Sequence, residues 1–286
     1  MKLFTSLINT IKEHFRLKLI ICFILCAILP LLILGTISYK ISYNIAKDKI
    51  LKETAISCEK NQHLLENRMT QIENLEDSIH FNLCMLCTTA EQPMSNYLDK
   101  LSAVRNNIAS IADSFNIYHV NIFLPDDTFA SKEGLTFCSL SDLKKYKVQL
   151  SDFSKQGLTP NWIFRKDINF PYMVSKGEEP SGVLSCYRYA KINSQKTCLA
   201  VHITSEELSN YLNTFSEGNP SLSYIINSEG VVLSSTDKKQ IGGSLSNEKL
   251  HAITQNLRLS HFSYDKCEII STPVHNQLFL VTETPD

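Results

Sequence analysis

The pattern of apolar and polar residues changes several times along the chain, and its first part is the most apolar. Residues 19–35 read LIICFILCAILPLLILG, with no charged or amide side chain. With the next three residues the run reaches the roughly 20 residues that a helix needs to cross about 30 Å of hydrocarbon. Backbone in lipid must satisfy its own hydrogen bonds, which favours a helix there. The pattern therefore predicts a transmembrane helix over residues 19–38, after a short N-terminal segment, 1–18.

A cleaved signal peptide is the alternative interpretation of this run. Its apolar core would be shorter, and a small-residue cleavage pattern would follow it. Neither feature is present, so a retained anchor in the lipid bilayer is favoured. Lysines and arginines flank the run on both sides in nearly equal number, so charge alone does not orient it.

Residues 39–115 have the pattern of a long helical stalk. Apolar residues recur every seven positions, as in a helix that packs along one stripe. Polar residues stand beside this stripe, which argues against a self-sufficient coiled coil. Pro93 predicts a break near 88–93, and a second helix of the same period runs from Met94 to Phe115. The first stripe consists of Leu51, Cys58, Leu65, Ile72, Ile79 and Leu86.

From residue 116 onward the period becomes that of strands. Short alternating segments separated by turn residues form two similar halves, each with a strand, a polar turn, a returning strand, a helix and further strands. Thr204 begins a helix predicted to run through Phe215. Gly218-Asn219-Pro220 marks the boundary between a module at 116–217 and a module at 218–286. The predicted fold class is α+β. The strands are expected at 118–124, 128–131, 162–164, 172–174, 182–189, 197–203, 222–227, 231–235, 260–270 and 277–281.

Composition and motifs give no sign of catalysis. The formal net charge of −1 gives no reason to expect a nucleic-acid partner. The eight histidines include no pair at helical metal-binding spacing, and no P-loop, nucleophile elbow or H-E-x-x-H motif occurs. We therefore expect no metal, no cofactor and no enzymatic activity in this chain.

Nine cysteines are present, and two pairs among them have informative spacing. Cys84 and Cys87 form a C-x-x-C pair in a helical setting, where a structural role is favoured over a local disulfide and over catalysis. Cys186 and Cys198 lie on two predicted strands joined by a short turn. They are a candidate disulfide if the strand register allows it and the compartment is oxidising.

Four segments carry a resemblance to a known family. They read FLPDDTFAS, GVLSCYRYAKI, CLAVHITSEELSNYL and SYIINSEGVVLSSTDKKQIGGSL. Together with the preceding helices they resemble the extracytoplasmic double Cache (PAS-like) sensor region of bacterial transmembrane receptors. The similarity is greatest to sensor histidine kinases that pair with AraC-family response regulators. The most specific part, residues 224–245, resembles the membrane-proximal module of that family.

The resemblance implies an orientation and an assembly. Residues 1–18 would be cytoplasmic and residues 40–286 extracellular, in a homodimer. A second membrane helix and a kinase would follow residue 286. The chain is therefore expected to be a fragment of a receptor, and the alternative is a receptor that has lost its output.

The resemblance also places the ligand site in the membrane-distal module, at residues 161–174 and 184–189. Aromatic side chains there would form pocket walls, and an arginine would hold a carboxylate. Plain core packing of the tryptophan and solvation of the arginines are the competing interpretation. The amino-acid-binding members share a Tyr, Arg, Trp, Tyr, Asp order that is absent here, so an amino-acid ligand is not supported. The candidate ligand-binding residues are Trp162, Arg165, Tyr172, Tyr187 and Arg188.

The expected function is therefore extracytoplasmic sensing of an unknown small molecule or an extracellular binding protein. The alternative is a membrane-anchored interaction or structural protein with no small-molecule pocket, in which Trp162 would be fully packed.

Overall fold

In the computed structural model, the residues described are 15–88, 94–125, 136–144, 160–166, 179–192, 195–212, 221–255, 258–275 and 278–285. The chain divides into two compact units, Met1–Glu53 and Thr54–Asp286. One helix, α1, spans Phe15–Thr88 and contributes to both units.

The first unit contains the apolar part of α1. Among the described residues, this is the one helix long and apolar enough to cross a membrane, with a mean hydropathy of 2.9 over its most apolar window and no residue of that window buried. Pro30 lies inside the helix without ending it. Exposed leucine, isoleucine and phenylalanine side chains cover this segment. The predicted long apolar helix is confirmed.

The second unit combines the rest of α1 with shorter helices and ten strands. The shorter helices are α2 (Met94–Ser114), α3 (Ser205–Ser209) and α4 (Asn247–Thr254), with 3-10 turns at Leu140–Lys144 and Lys238–Gln240. The strands are β1 (His119–Leu124), β2 (Phe137–Ser139), β3 (Asn161–Arg165), β4 (Val183–Ile192), β5 (Gln195–Thr204), β6 (Leu222–Ile226), β7 (Val232–Ser235), β8 (Ser260–Tyr264), β9 (Cys267–Val274) and β10 (Leu278–Pro285).

The ten strands form two five-stranded sheets with the same arrangement. The first sheet has the order β2-β1-β5-β4-β3 and the second the order β7-β6-β10-β9-β8. In each sheet, the strand that comes last in the sequence lies in the centre. This strand is β5 in the first sheet and β10 in the second. Pairing is antiparallel except between β1 and β2, which are parallel. The α+β prediction with two PAS-like modules and antiparallel sheets is confirmed.

The repeating apolar stripe of α1 lies in the main core. Cys58, Leu65, Ile72 and Ile79 are at most 1% exposed, and they belong to one cluster with residues from both sheets. We call the face of each sheet that contributes to this cluster its inner face, and the opposite face its outer face. The polar positions beside the stripe are buried too, including Asn61, Arg68 and Glu76.

Several predicted element bounds change in the structure. The strand predicted at 260–270 is a hairpin, because Asp265 and Lys266 both adopt positive φ and turn the chain in two residues. The helix that begins after Thr204 ends at Ser209, six residues before Phe215. The strands predicted at 128–131 and 172–174 lie outside the described residues. The module bounds 116–217 and 218–286 stay predictions, although the two sheets lie within them.

Candidate functional site

The first sheet contains most of the predicted ligand-binding residues, but it divides them between its two faces. Neighbouring residues of a strand point to opposite faces. Trp162 and Arg188 therefore share the inner face with Cys186, the residue opposite Trp162 in the register. Arg165 and Tyr187 lie on the outer face. Tyr172 lies outside the described residues. No single pocket can be formed from all the predicted residues.

On the inner face, Trp162 and Arg188 are bound to α1. The Trp162 indole Nε1 donates a hydrogen bond to Glu73 Oε1 at 3.1 Å. The Arg188 guanidinium contacts Asp77 and lies 3.4 Å from Glu76 Oε2. Both side chains thus hold the sheet to the helix, which makes them contacts of the core and not walls of an open pocket.

The candidate disulfide is not formed in this structure. Cys186 lies opposite Val201 in the β4–β5 register, whereas Cys198 lies opposite Tyr189. The two cysteines are therefore three positions out of register and on opposite faces of the sheet. They belong to different core clusters, and both are free thiols. A hairpin of this register cannot bring them within bridging distance, so the prediction is corrected.

The outer face of the first sheet carries a buried polar cluster around His202 of β5. The His202 ring lies 2.7 Å from Ser185 Oγ through Nδ1 and 2.9 Å from Asn121 Oδ1 through Nε2. Three neighbouring strands, β4, β5 and β1, supply the three side chains. All three are at most 2% exposed. The register makes this possible, because β5 is central and His202 faces Ser185 on one side and His119 on the other.

Burial controls the charge of this histidine. The pKa of His202 lies well below its usual value, first because burial disfavours the cation and then because His119 and Arg165 are nearby. A neutral imidazole has one donor and one acceptor nitrogen. Since Asn121 offers its carbonyl oxygen, Nε2 donates to it, and Nδ1 accepts from the Ser185 hydroxyl. The cluster is a neutral hydrogen-bonded network.

Aromatic and apolar groups surround the network. The Tyr187 ring meets the His202 ring edge-on with centroids 6.1 Å apart, and the His119 ring stacks on it at 6.4 Å. Burial raises the pKa of Tyr187 to about 12, while Arg165 opposes that shift. The rest of the face is apolar, formed by Phe123, Cys138, Leu143, Cys198 and Ala200. An apolar surface with a few convergent polar groups and a nearby arginine is typical of a small-molecule site.

His202, Asn121 and Ser185 were not among the site residues predicted from the sequence. The signal available for them was modest, namely polar side chains within otherwise apolar strands. Their convergence depends on pairing between β1 and β5, whose histidine and asparagine are 81 residues apart.

A cavity of about 630 Å³ lies elsewhere, beside the C-terminal end of α2 and the α3 helix. Four carboxylates contribute to its lining, together with Lys238 from the second module. Glu206 and Glu207 are among these carboxylates, and both have partners. Glu207 pairs with Arg68 at 3.2 Å, and Glu206 accepts a hydrogen bond from the Ser181 backbone at 3.0 Å. None of the predicted ligand-binding residues lines this cavity.

Metal ligands do not cluster in the described part of the chain. No group of three or more histidine, cysteine, aspartate or glutamate side chains there could hold a metal ion.

Comparisons with known proteins identify structural relatives but no sequence family. No protein-family profile and no curated protein sequence matches the chain. Among solved structures, the extracellular domain of rpHK1S-Z16, which is named as a histidine kinase, matches with a TM-score of 0.55 at 15% identity. The match covers 82% of this chain and 96% of that domain.

Two chemoreceptors of Campylobacter jejuni are also similar. The periplasmic sensory domain of Tlp1 matches with a TM-score of 0.53 at 12% identity, over 83% of this chain and 96% of that one. The ligand-binding domain of Tlp3, solved with 4-methylisoleucine, matches with a TM-score of 0.52 at 14% identity, over 83% and 91% of the two chains. Each of these structures is described as a sensory or ligand-binding domain. The chain shares the fold of extracytoplasmic sensory domains.

Proposed function

We propose that this chain is the extracytoplasmic sensing region of a membrane receptor, and that the outer face of its first sheet binds a small organic anion. Residues 1–18 would be cytoplasmic, residues 19–38 would span the bilayer, and residues 40–286 would be extracellular. The single observation that carries the proposal is the buried polar cluster of His202, Ser185 and Asn121.

The choice of an anion rests on charge. Arg165 is on the outer face and close enough to Tyr187 and His202 to affect the pKa of each. Arginine binds a carboxylate with two parallel hydrogen bonds. Arg188 is unsuited to this role because Asp77 and Glu76 occupy its guanidinium. A carboxylate near Arg165, with its apolar part against Tyr187, suits the chemistry of this face.

The specific type of receptor is supported by the sequence resemblance alone. The four sequence segments described above favour a double Cache region of a sensor histidine kinase of the type paired with AraC-family regulators, working as a homodimer. The Tlp3 domain was solved with 4-methylisoleucine, L-norvaline and L-valine. Because the residue order of amino-acid-binding members is absent here, we favour a simple carboxylate over an amino acid.

Ligand binding would act on α1 through the first sheet. The inner face of that sheet packs on the helix that also contains the apolar span, so a shift of β4 or β5 changes the helix surface that it contacts. Such a shift between two packed arrangements is a common mechanism of receptor switching.

Thermal unfolding of the full chain in detergent micelles tests the proposal. The probes are acetate, succinate, malate, citrate and the L-amino acids, each at millimolar concentration. A ligand present at one hundred times its Kd stabilises by about 2.7 kcal/mol, or about 5–10 °C in Tm for a unit of this size. We expect a carboxylate to produce such a shift and Arg165→Gln to abolish it.

The matched control is Arg258→Gln, which removes an exposed arginine from the second module. It should leave both Tm and the ligand-induced shift unchanged. A cooperative unfolding transition that none of the probes moves would contradict the anion site. A shift that survives in Arg165→Gln would contradict the role of that residue.

One observation favours the alternative of an anchored interaction protein. Trp162 packs against the main core and its indole nitrogen is bound to Glu73, as in a structural residue, although the side chain is half-buried and not fully packed. Absence of any ligand response, together with capture of a defined extracellular binding protein by the full chain, would favour this alternative.

A further inference from the structure

The buried side of α1 contains a carboxyl group that the sensing function does not use. Glu76 is fully buried between the helix and the inner face of the first sheet. From β4, Cys186 Sγ approaches Glu76 Oε2 at 3.4 Å, and Arg188 Nε approaches the same oxygen at 3.4 Å. The other oxygen, Oε1, has no hydrogen-bond partner among the residues that the structure describes.

Arg188 is shared among several acceptors of α1. Its Nη1 is bound to Asp77 Oδ1, and its Nη2 lies 3.5 Å from the Glu73 backbone oxygen. Its Nε is within ion-pair distance of Glu76 but lacks hydrogen-bond geometry toward it. Asp77 therefore receives the direct contact, although its side chain is 61% exposed and that of Glu76 is fully buried.

An ionised carboxylate in such a place is costly. A buried charge requires a well-aligned partner and hydrogen bonds to both oxygens. Burial raises the pKa of Glu76 to about 8, and the opposing effects of Arg188 and Cys186 do not restore its usual value, while Glu73 raises it further. The neutral acid, which can also donate a proton, is thus the main form at pH 7.

We infer that Glu76 is a proton-binding site, at which a proton and the Arg188 guanidinium compete for the same buried carboxylate. In the protonated state, Arg188 binds Asp77, as in the structure. In the deprotonated state, Arg188 turns toward Glu76 and releases Asp77, whose exposed carboxylate is readily solvated.

The competition at Glu76 affects the position of β4, because β4 is the strand that contains Arg188. Arg188 follows Tyr187, which lies on the outer face beside His202, so movement of Arg188 and movement of the sensing face involve the same strand. The charged and titratable groups around Glu76 are few among the described residues. Arg188 and Cys186 come from β4, Cys198 from β5, and Glu73 and Asp77 from α1 itself. From the end of β9, His275 binds Glu73 Oε1 at 2.8 Å.

Infrared spectroscopy of the full chain in detergent micelles tests this inference. The carbonyl band of a protonated carboxylic acid should persist in wild type up to about pH 8 and then disappear. Glu76→Gln should lack this band. Glu59→Gln, which changes an exposed glutamate of the same helix, is the matched control and should keep it.

A second variant tests the competition itself. In Asp77→Asn, Arg188 loses its alternative partner and becomes available to Glu76. The midpoint of the band should then fall by at least about one pH unit, a tenfold change in proton affinity. Failure of Glu76→Gln to fold would leave this measurement intact, because it uses the Glu76 side chain.

Three results would overturn the inference: no protonated carboxyl band above pH 6, a band that remains in Glu76→Gln, or an unchanged midpoint in Asp77→Asn. The proton site needs no ligand, so these results are independent of the thermal-shift experiment with carboxylates.

Discussion

The first and second sheets share one strand order, yet their outer faces are built differently. In the second sheet, α4 covers the face, and Leu250 and Ile253 pack on apolar residues of β6, β9 and β10. At the rim, Lys249 pairs with Glu283 at 2.5 Å, and Tyr224 donates to the same carboxylate. In the first sheet, the corresponding central strand carries His202, and the strands on either side of it, β4 and β1, supply its polar partners Ser185 and Asn121.

The difference shows how two modules with the same strand order can be suited to different roles. In the second sheet, this face is covered by its own helix and its buried contacts are mainly apolar. In the first sheet, this face contains a buried neutral network with an arginine nearby. This contrast is the reason why we propose the sensing role for the first module and a supporting role for the second.

The largest expected effect on stability comes from removing a buried apolar side chain from the core of the second module. Phe279→Ala removes a buried ring that packs beneath α4. We expect a loss of about 3–5 kcal/mol in the free energy of unfolding, because a cavity remains where the ring was. Chemical denaturation measures this loss. The conservative Phe279→Leu should cost much less, and an equal cost for the two variants would show that the loss does not come from the cavity left by the ring.

An intermediate effect is expected from the polar network of the first module. Asn121→Ala leaves the Nε2 proton of His202 without its acceptor, which should cost about 1–3 kcal/mol. The exposed Asn247→Ala is the control and should change stability by less than about 0.5 kcal/mol. A cost of Asn121→Ala as small as that of the control would mean that the network adds nothing to stability.

The same network predicts a dependence of stability on pH. The pKa of His202 is lowered on folding, so below about pH 6.5, where a histidine of the unfolded chain becomes protonated, the unfolded state binds the extra proton. Stability should therefore fall as pH decreases below that value. His202→Gln should reduce this acid-side slope, as measured by unfolding midpoints from pH 7 to pH 5. An unchanged slope would contradict the buried, neutral state of His202.

The smallest effect concerns the rim of the second module. Lys249→Met removes the partner of Glu283, and both side chains are partly exposed, at 17% and 14%. We expect a loss of about 1 kcal/mol, since solvent screens a pair of this exposure. High salt should reduce the stability difference between wild type and Lys249→Met, and a difference that does not depend on salt would point to packing of the lysine stem instead.

The sequence predicted the elements much better than it predicted the site. The heptad of Leu65, Ile72 and Ile79 indicated the buried stripe of α1, and alternation indicated most strands. Strand alternation also shows that part of the site prediction was inconsistent. Tyr187 and Arg188 are adjacent in a strand, so they cannot line the same face. The partners of Arg188 on α1 are more than a hundred residues away, and no local pattern specifies them.

The His202 network could not be predicted from the sequence either, because its side chains come from strands that no local pattern brings together. Its geometry follows from the register of three strands, and register is set by the packing of whole faces and not by any local motif. Resemblance to a family indicated which module to examine, but it directed attention to aromatic residues and arginines of β3, β4 and the segment after β3 instead of the central strand.

The central position of β10 has a consequence for biosynthesis. The first sheet has all its strands once residue 204 has been made, whereas the second lacks its middle strand until residue 285. At about 5–20 residues per second, the interval of 81 residues between these points takes roughly 4–16 s. As β6 and then β9 are made within this interval, their apolar inner sides have no strand between them until β10 follows. The nascent second module is therefore the part of this protein that most needs protection from aggregation.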